Sequence, residues 1–371
     1  MIEPLVTVLM AVHNGAAHVE AAVESILRQS FTDFEFLIID DGSTDDTPQR
    51  LVRFHDPRVR LLRNDVNIGL TRSLNLGLRH ARGALIARHD ADDISHVGRL
   101  ATQLQYFEQN PHVVVLGTQA RYINARGERI AVAPWPKATS PLAIKWQLLF
   151  DGPFFHASVM FRKAIIWDEL GGYDETFVSS QDFELWSRVE ARGCPMANLP
   201  SEWIDFRVHS GSVSSRYELK NITKLRTVLL DNLNRAIAPA AAPEGWPETW
   251  IRLNNPRAFP HSADSPSALT HSLEAIHRAF VSRHPEAVGN EEIHRHLAAM
   301  FVRLAISCAE RGWVSSMVPF VKSVRLDPNV AIGSFPRYIA SASLGLIRRI
   351  AARVRRDRNR NVVVTKGRVP R

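Results

Sequence analysis

Short apolar runs alternate with stretches of helical periodicity in the N-terminal part of the chain. Residues 5–12, LVTVLMAV, form a valine-rich apolar run typical of a buried strand, bounded by Pro4 and Asn14. The next segment, AAHVEAAVESILRQS, repeats its apolar residues at helical spacing. Further predicted strands and helices alternate in the order FEFLIID, TPQRLVRFH, RVRLLRN, LTRSLNLGLRHA and GALIARHD. This order predicts an α/β fold, a mostly parallel sheet flanked by helices.

The alternation is less regular after residue 100. A helix is predicted over RLATQLQYFEQN, directly before Pro111, and a strand over VVVLGTQARYIN. HASVMFRKAII is predicted as a strand that leads into a helix, and SEWIDFRVH as a further strand. Between them, SQDFELWSRVEARG has an apolar stripe at helical spacing, and Ser179 or Ser180 is expected to cap this helix.

The composition changes near residue 220, which predicts two parts. We expect an α/β domain over residues 1–218 and a smaller, all-helical region over 219–371, with a Pro/Ala-rich connection at 236–250. Residues 301–330 have the periodicity of a helix pair, with Gly312 at the turn and Pro328 ending the second helix. The pair resembles one tetratricopeptide-type unit, but no second copy follows at a fixed period, so no repeat array is expected.

The positive charge of the chain is concentrated at its end. The net charge is +8, and residues 348–371 alone hold ten Lys or Arg and one Asp, so the rest of the chain is near −1. This distribution argues against a nucleic-acid partner for the main body. In the tail, arginines surround an apolar face that includes Leu344 and Ile347, as in a basic amphipathic helix on an anionic membrane surface. A solvated tail, or a helix docked on the α/β domain, explains this pattern equally well.

The overall composition is that of a soluble globular protein, with 45% hydrophobic and 23% charged residues. Cys194 and Cys308 are far apart, which argues against a disulfide framework and fits a reducing compartment. The start, MIEPLVTVLM, lacks the features of an export signal, and no apolar run has the length of a membrane span. We therefore expect a cytoplasmic protein, with the basic tail as the candidate for peripheral contact with the inner face of the plasma membrane.

Polar residues follow three of the predicted strands: residues 12–15, residues 40–43 and residues 89–93. Ligands of open α/β sheets bind beyond the carboxyl ends of the strands, so these residues are expected to meet at one edge. Asp90 and Asp92 can direct two carboxylates to one point, which suits Mg²⁺ or Mn²⁺, although a solvated Asp-rich turn is common. Asp41 can accept hydrogen bonds from a base or a ribose, whereas Ser43 fits a helix cap.

The ordered set of motifs is more specific than any one of them. Over residues 4–216 it resembles the family 2 inverting glycosyltransferases, which adopt the GT-A nucleotide-sugar-binding fold. The stretches that carry the resemblance are VTVLMAVHNG, FEFLIIDDGSTDDT, NIGLTRSLNLGLRHARGALIARHDADDIS, HASVMFRK, GGYDETF and QDFELWSRV. The implied fold is GT-A, and the implied activity is transfer of a sugar from a nucleotide-diphospho-sugar.

The resemblance also implies a role for each motif residue. Asp41 would contact the nucleobase, Asp90 the ribose, and Asp92 the metal and diphosphate. Asp182 would be the catalytic base, and His209 would complete the metal site. The family usually has Glu-Asp where this chain has Gln181-Asp182, and the loss of the neighbouring charge is expected to ease ionisation of Asp182. The start of a helix favours the ionised form as well. The predicted donor-binding set is completed by Val12, Asn14, Arg72 and Ala91.

This residue set suits the chemistry of an inverting transfer. One general base must accept the proton of the attacking hydroxyl, and one cation must meet the departing diphosphate, so the expected cofactor is Mn²⁺ or Mg²⁺. The chain has neither a Q-x-x-R-W motif nor membrane helices, which favours a non-processive enzyme. The expected donor is a UDP-sugar, with dTDP- and GDP-sugars open, and the expected acceptor is a bacterial cell-surface glycan or lipid-linked hydroxyl.

Two other functions fit parts of the sequence. A sugar-nucleotide nucleotidyltransferase would need a Gly-rich basic loop after the first strand, where this chain has HNGAAH. A non-catalytic scaffold, with a degenerate sugar-nucleotide domain and a helical interaction module, is disfavoured because all the acidic motif residues are retained. His156 fits either an acceptor-side residue or a buried structural histidine, and Arg88, like Arg72, is a candidate for the diphosphate.

Overall fold

The computed structural model describes residues 3–130, 137–209, 222–240, 243, 246, 266–310, 317–327 and 329–330. The chain divides into two compact units, Met1–Pro239 and Ala240–Arg371. The predicted boundary lay at residue 218. The first unit extends beyond the predicted boundary because the helix Ile222–Ile237 packs within it.

An eight-stranded sheet forms the centre of the first unit, in the order β3-β2-β1-β4-β7-β6-β8-β5. Strands β1, β2, β3 and β4 are mutually parallel, as are β6 and β8, whereas β7 and β5 run antiparallel to their neighbours. The predicted mostly parallel sheet is therefore confirmed. The strands are β1 Val6–Val12, β2 Phe34–Asp40, β3 Val59–Arg63, β4 Leu85–Asp90, β5 Ile94–Ser95, β6 Val115–Ile123, β7 Met160–Arg162 and β8 Met196–Arg207.

Helices cover both faces of this sheet, as the alternating pattern predicted. They are α1 Val19–Leu27, α2 Thr47–Leu51, α3 Leu70–His80, α4 Arg99–Gln109, α5 Pro141–Gln147, α6 Gln181–Ala191 and α7 Ile222–Ile237. The stretch predicted as a helix after β7 is a short π-helical segment, Ala164–Glu169.

The central strand β1 is buried along its whole length, which explains why its sequence is apolar rather than alternating. Val8 and Met10 belong to the main core cluster, together with residues of α1 and α4. On the other face, a Cβ atom at Gly77 of α3 would lie 2.2 Å from Cδ1 of Leu9. Glycine at this position lets α3 approach β1 closely, and this places the start of α3 beside the carboxyl ends of the strands.

Helix α7 belongs to the first unit because a buried amide holds it there. Asn232 is 3% exposed, and its Nδ2 donates to the carbonyl of Leu148 and to Oγ of Ser187, both at 2.9 Å. Ser187 lies on α6, the helix that begins at Gln181. The sequence near residue 220 changes in composition, but tertiary hydrogen bonds extend the unit beyond that point.

The second unit is helical in its described residues, as predicted. Its helices are α8 Pro266–Arg283, α9 Glu291–Glu310 and α10 Met317–Leu326, and Ala305 and Ala309 of α9 pack with Phe320 of α10. The predicted turn and end residues, Gly312 and Pro328, lie outside the described residues, as do the basic tail 348–371 and most of the connection 236–250. Within the described ranges, no helix combines the length and apolarity that a membrane crossing requires.

Replacing Asn232 with Ala should destabilise the protein by about 1–3 kcal/mol, because the Leu148 carbonyl would stay buried without a partner. Asn234 on the same helix is exposed, so Asn234→Ala is the matched control and should change stability by less than about 0.5 kcal/mol. Urea unfolding of the full chain, followed by circular dichroism, measures both. Equal effects of the two variants would show that this contact does not hold α7 to the first unit.

Candidate active site

The carboxyl ends of β1, β2 and β4 meet at one cavity of about 640 Å³, a volume typical of small-molecule sites. The lining includes most of the residues predicted to bind the donor or the metal: Val12, Asn14, Asp41, Arg72, Asp90, Ala91, Asp92 and His209. Asp182 is not among the lining residues, although Phe177 and Val178, shortly before it in the chain, are. The structure thus brings the predicted donor and metal residues together, whereas Asp182 lies outside the lining, at the start of the helix that follows this segment.

Asn14 connects the loops that follow β1 and β2. Its backbone has a positive φ of 53°, a conformation that asparagine tolerates better than most residues. Its Oδ1 accepts hydrogen bonds from the backbone N–H of Thr44 at 2.8 Å and of Asp45 at 3.3 Å. Asn14 therefore shapes the cavity wall, in addition to any contact with a donor.

The carboxylate of Asp41 organises a third loop. Its Oδ1 accepts from Nδ2 of Asn64 and from the N–H of Ile68, and its Oδ2 accepts from the N–H of Gly69, each at 2.9 Å. Gly42, with φ +65°, allows this loop to approach, because a Cβ there would lie 2.4 Å from the carbonyl carbon of Val66. The predicted base contact would use the remaining acceptor capacity of a carboxylate that already holds the cavity wall.

Asp90 is stabilised by a buried guanidinium. The Nη2 of Arg88 donates to Oδ1 of Asp90 at 2.5 Å, and a second guanidinium nitrogen donates to the carbonyl of His89. Burial raises the pKa of Asp90, and the charge of Arg88 opposes this rise. Arg88 is 1% exposed and does not line the cavity, so the expectation that it approaches the diphosphate directly is wrong. It acts from behind Asp90 instead.

Asp92 and His209 face each other across the cavity edge. The Oδ2 of Asp92 lies 2.9 Å from Nε2 of His209, and the ring of His18 lies 5.4 Å from the His209 ring. Among the described residues, no group of three or more His, Cys, Asp or Glu side chains could hold a metal ion. Asp92 nevertheless offers the oxygen ligand that Mg²⁺ and Mn²⁺ prefer, and such ions commonly take most of their other ligands from phosphates and water.

Asp182 lies in the first turn of α6 and is only partly exposed. Burial raises its pKa, and Asp90 acts in the same direction, whereas the backbone N–H of Phe183 and the charge of Lys137 oppose the rise. The pKa of Asp182 is therefore raised overall, despite the two effects expected to ease its ionisation. Desolvation outweighs the helix N-terminus and the absence of a charge at Gln181.

The residue before this helix start has an unusual backbone. Ser180 is the N-cap of α6 with φ 58° and ψ 22°, and its side chain makes no capping hydrogen bond. Of the two serines expected to cap this helix, Ser180 does not do so with its side chain. A left-handed conformation costs a non-glycine residue roughly 1–2 kcal/mol. Strain of this kind two residues before the candidate base fits a helix start placed for function rather than stability.

The sequence analysis missed Tyr173 and His18 and left the role of His156 open. Nε2 of His156 lies 2.8 Å from the hydroxyl of Tyr173, and the His156 ring packs edge-on against Trp186 of α6. Burial, reinforced by Arg88, holds the pKa of His156 well below its usual value, so the ring is neutral. Tyr173 lies in the GGYDETF motif. His18 of HNGAAH lines the cavity and could have been identified from its place just after β1.

Comparisons with known proteins agree with this fold and site. Residues 7–169 match the sequence model of Glycosyl transferase family 2. The O-antigen biosynthesis glycosyltransferase WbnJ of Escherichia coli is 31% identical over 238 residues, which cover 60% of this chain and 91% of that protein. Another Escherichia coli relative, UDP-Glc:alpha-D-GlcNAc-diphosphoundecaprenol beta-1,3-glucosyltransferase WfaP, is 27% identical over 61% of this chain and 85% of its own.

A solved structure extends the comparison to the fold. The crystal structure of S. aureus TarS 1–349 in complex with UDP-GlcNAc has a TM-score of 0.54 at 15% identity, covering 90% of this chain and 91% of that one. The chain belongs to glycosyl transferase family 2 and is a glycosyltransferase. The predicted GT-A-like fold is confirmed.

Replacing Ser180 with Gly should preserve transfer to within about two-fold and leave stability equal or slightly raised, because glycine adopts the left-handed conformation without strain. Ser180→Val should destabilise the protein by about 1–2 kcal/mol and lower kcat, because the first turn of α6 would shift. Thermal unfolding and donor turnover measure both effects. If the valine variant turned over like the wild type, the conformation of residue 180 would not position Asp182.

Proposed function

We propose that this enzyme transfers a single sugar, with inversion, from a nucleotide-diphospho-sugar to a hydroxyl group of a glycan or lipid-linked acceptor. The observation that carries the proposal is the shared cavity of Asp41, Asp90, Asp92 and His209, with the carboxylate of Asp182 near enough for the charge of Asp90 to act on it. Such a site has what a one-step displacement needs: a donor pocket, a place for a cation and one base.

A UDP-sugar is the proposed donor. The similar TarS structure is a complex with UDP-GlcNAc, and the name of WfaP includes UDP-Glc, so both proteins support a uridine nucleotide. The loop that Asp41 holds provides the exposed edges of residues 67–69 along the cavity, where a base would lie. dTDP- and GDP-sugars are the alternatives.

Asp92 and His209 are proposed to hold a Mn²⁺ or Mg²⁺ ion. Their side chains already lie within 2.9 Å of each other at the cavity edge. The bound ion would supply positive charge to the diphosphate of the donor. The protein would hold the side chains of Asp92 and His209 in the orientation that the ion needs, and the cavity walls would enclose the diphosphate.

Asp182 is the proposed general base. The acceptor oxygen forms a bond to the anomeric carbon, its proton goes to the carboxylate of Asp182, and the nucleoside diphosphate leaves with the electron pair of the broken bond. A pKa raised by burial makes the carboxylate a stronger proton acceptor, provided that it is ionised at the working pH. Asp90 is kept in place by Arg88 and would bind the ribose.

The proposed cellular role is assembly of bacterial cell-surface polysaccharide. The names of WbnJ and WfaP support this role, because one names O-antigen biosynthesis and the other a diphosphoundecaprenol-linked acceptor. A lipid-linked acceptor fits this proposal, and addition of one sugar per encounter fits the lack of a Q-x-x-R-W motif.

Asp182→Asn should lower transfer by about 10²–10⁴-fold while UDP affinity stays nearly constant, because only the proton acceptor is lost. Asp168→Asn is the control, since Asp168 is an exposed carboxylate elsewhere in the same unit. UDP release from a panel of UDP-sugars, together with UDP binding by calorimetry, measures the two quantities. Normal turnover of the Asp182 variant would exclude this residue as the base.

The same substitution should stabilise the protein at neutral pH. Because burial raises the folded-state pKa of Asp182, the folded protein binds this proton more tightly than the unfolded chain does. Stability is therefore lost as the pH rises through the folded pKa, and the full cost is present at pH 7. Asp182→Asn removes this cost, so its melting temperature should exceed that of the wild type at pH 7, and the difference should shrink toward pH of about 4. A difference independent of pH would contradict the assigned cause.

A further inference from the structure

Arg207, the last residue of β8, is 5% exposed and binds four backbone or side-chain acceptors. Its N–H donates to Oδ1 of Asp93 at 2.8 Å, and its Nε donates to the carbonyl of Asp92 at 2.7 Å. Its Nη1 donates to the carbonyls of Asn124 at 3.0 Å and of Ala125 at 3.2 Å. A permanently charged side chain is thus buried among oxygen atoms directly behind the cavity.

These bonds join three segments that are distant in the chain. The D-x-D turn, residues 90–93, follows β4, and the turn that begins at Asn124 follows β6. Strands β6 and β8 are parallel and pair Ile123 with Arg207, so their ends lie side by side. His209 is two residues beyond Arg207, and its imidazole lies 2.9 Å from the Asp92 carboxylate. Arg207 therefore links the turn that holds Asp92 to the end of β8, from which His209 extends.

We propose that Arg207 is a positioning residue that sets the separation of the Asp92 carboxylate and the His209 imidazole for a shared divalent cation. This inference rests on the proposed function. Arg207 does not line the cavity and is not expected to touch the donor. It acts through the carbonyl of Asp92, which fixes the turn, and through the backbone that it shares with His209.

The geometry of the guanidinium explains why arginine is needed. Nε and Nη1 donate from different edges of one rigid plane, so a single side chain can bind Asp92 and the turn at Asn124 at once. The ammonium of a lysine is one point on a flexible chain and cannot bind both sites in the same way. Residues that orient metal ligands from behind typically contribute about 10- to 100-fold to metal affinity.

Arg88 provides a contrast within the same turn. It binds the carboxylate of Asp90, the proposed ribose ligand, and makes none of the contacts of Arg207 with Asp92. Loss of Arg207 should therefore weaken the metal-dependent part of nucleotide binding and spare the metal-independent part. A general loss of fold would weaken both parts together.

The test is calorimetric titration of the full chain with UDP, once in EDTA and once across a series of Mn²⁺ concentrations. For Arg207→Lys and Arg207→Gln, UDP affinity in EDTA should stay within about three-fold of the wild type, and the Mn²⁺ concentration for half-maximal enhancement should rise about 10-fold or more. Arg121→Lys is the matched control. Arg121 lies on β6 and pairs with Asp205 without contacting the D-x-D turn, so this variant should match the wild type in both titrations.

A rescue experiment and the melting temperature in EDTA separate positioning from folding. For Arg207→Ala, added guanidinium ions should restore part of the Mn²⁺ response, whereas added ammonium ions should not. An unchanged Mn²⁺ response in both conservative variants would overturn the proposal. Loss of the folded state of both in EDTA would overturn it too, because Arg207 would then be a general structural residue. If the wild type bound neither UDP nor another nucleoside diphosphate with Mn²⁺, the proposed function itself would fail.

Discussion

The site depends on the buried cation of Arg88 behind the partly exposed carboxylate of Asp90 at the end of β4. Asp90 is the last residue of β4, a strand in the middle of the sheet, where an unpaired carboxylate would be expensive. Arg88, on the same strand, supplies the compensating charge from within the core. Without such a partner the carboxylate would tend to be protonated, and the cavity would lose the charge on which donor binding is proposed to depend.

A second buried arginine extends this arrangement. Arg99, the first residue of α4, donates to the carbonyl of Arg88 at 2.6 Å, and burial lowers the pKa of Arg99 to about 9. The D-x-D turn is thus held by Arg88 with Arg99 on the strand side, and by Arg207 on the side of β8. These three arginines would be expected at the surface from the sequence alone. In the folded protein they are buried, and their hydrogen bonds hold the turn that carries Asp90 and Asp92.

Several residues have a structural role and a proposed binding role at once. Asp41 holds the loop over residues 64–69, Asn14 connects two loops, and both line the cavity. Asp182 differs from these two residues. Its burial near the charge of Asp90 costs stability and raises the pKa of its carboxylate, which makes it a stronger base. The left-handed backbone of Ser180 also costs stability, and it sets the position of the first turn of α6, which carries Asp182.

Local sequence patterns were sufficient to predict most of the elements, their order and the strand ends that carry the donor residues, although α5 and the short strand β5 were missed. Hydrophobic periodicity is a local property, and parallel strands bring their carboxyl ends to one edge, so Asp41, Asp90 and Asp92 could be placed together from the chain alone. The folded protein was needed to find the burial of Arg88, the hydrogen bonds of Arg207 to the D-x-D turn, the raised pKa of Asp182 and the inclusion of α7 in the first unit. These features depend on which distant segments exclude water from a charge or satisfy its hydrogen bonds, and no local pattern encodes that.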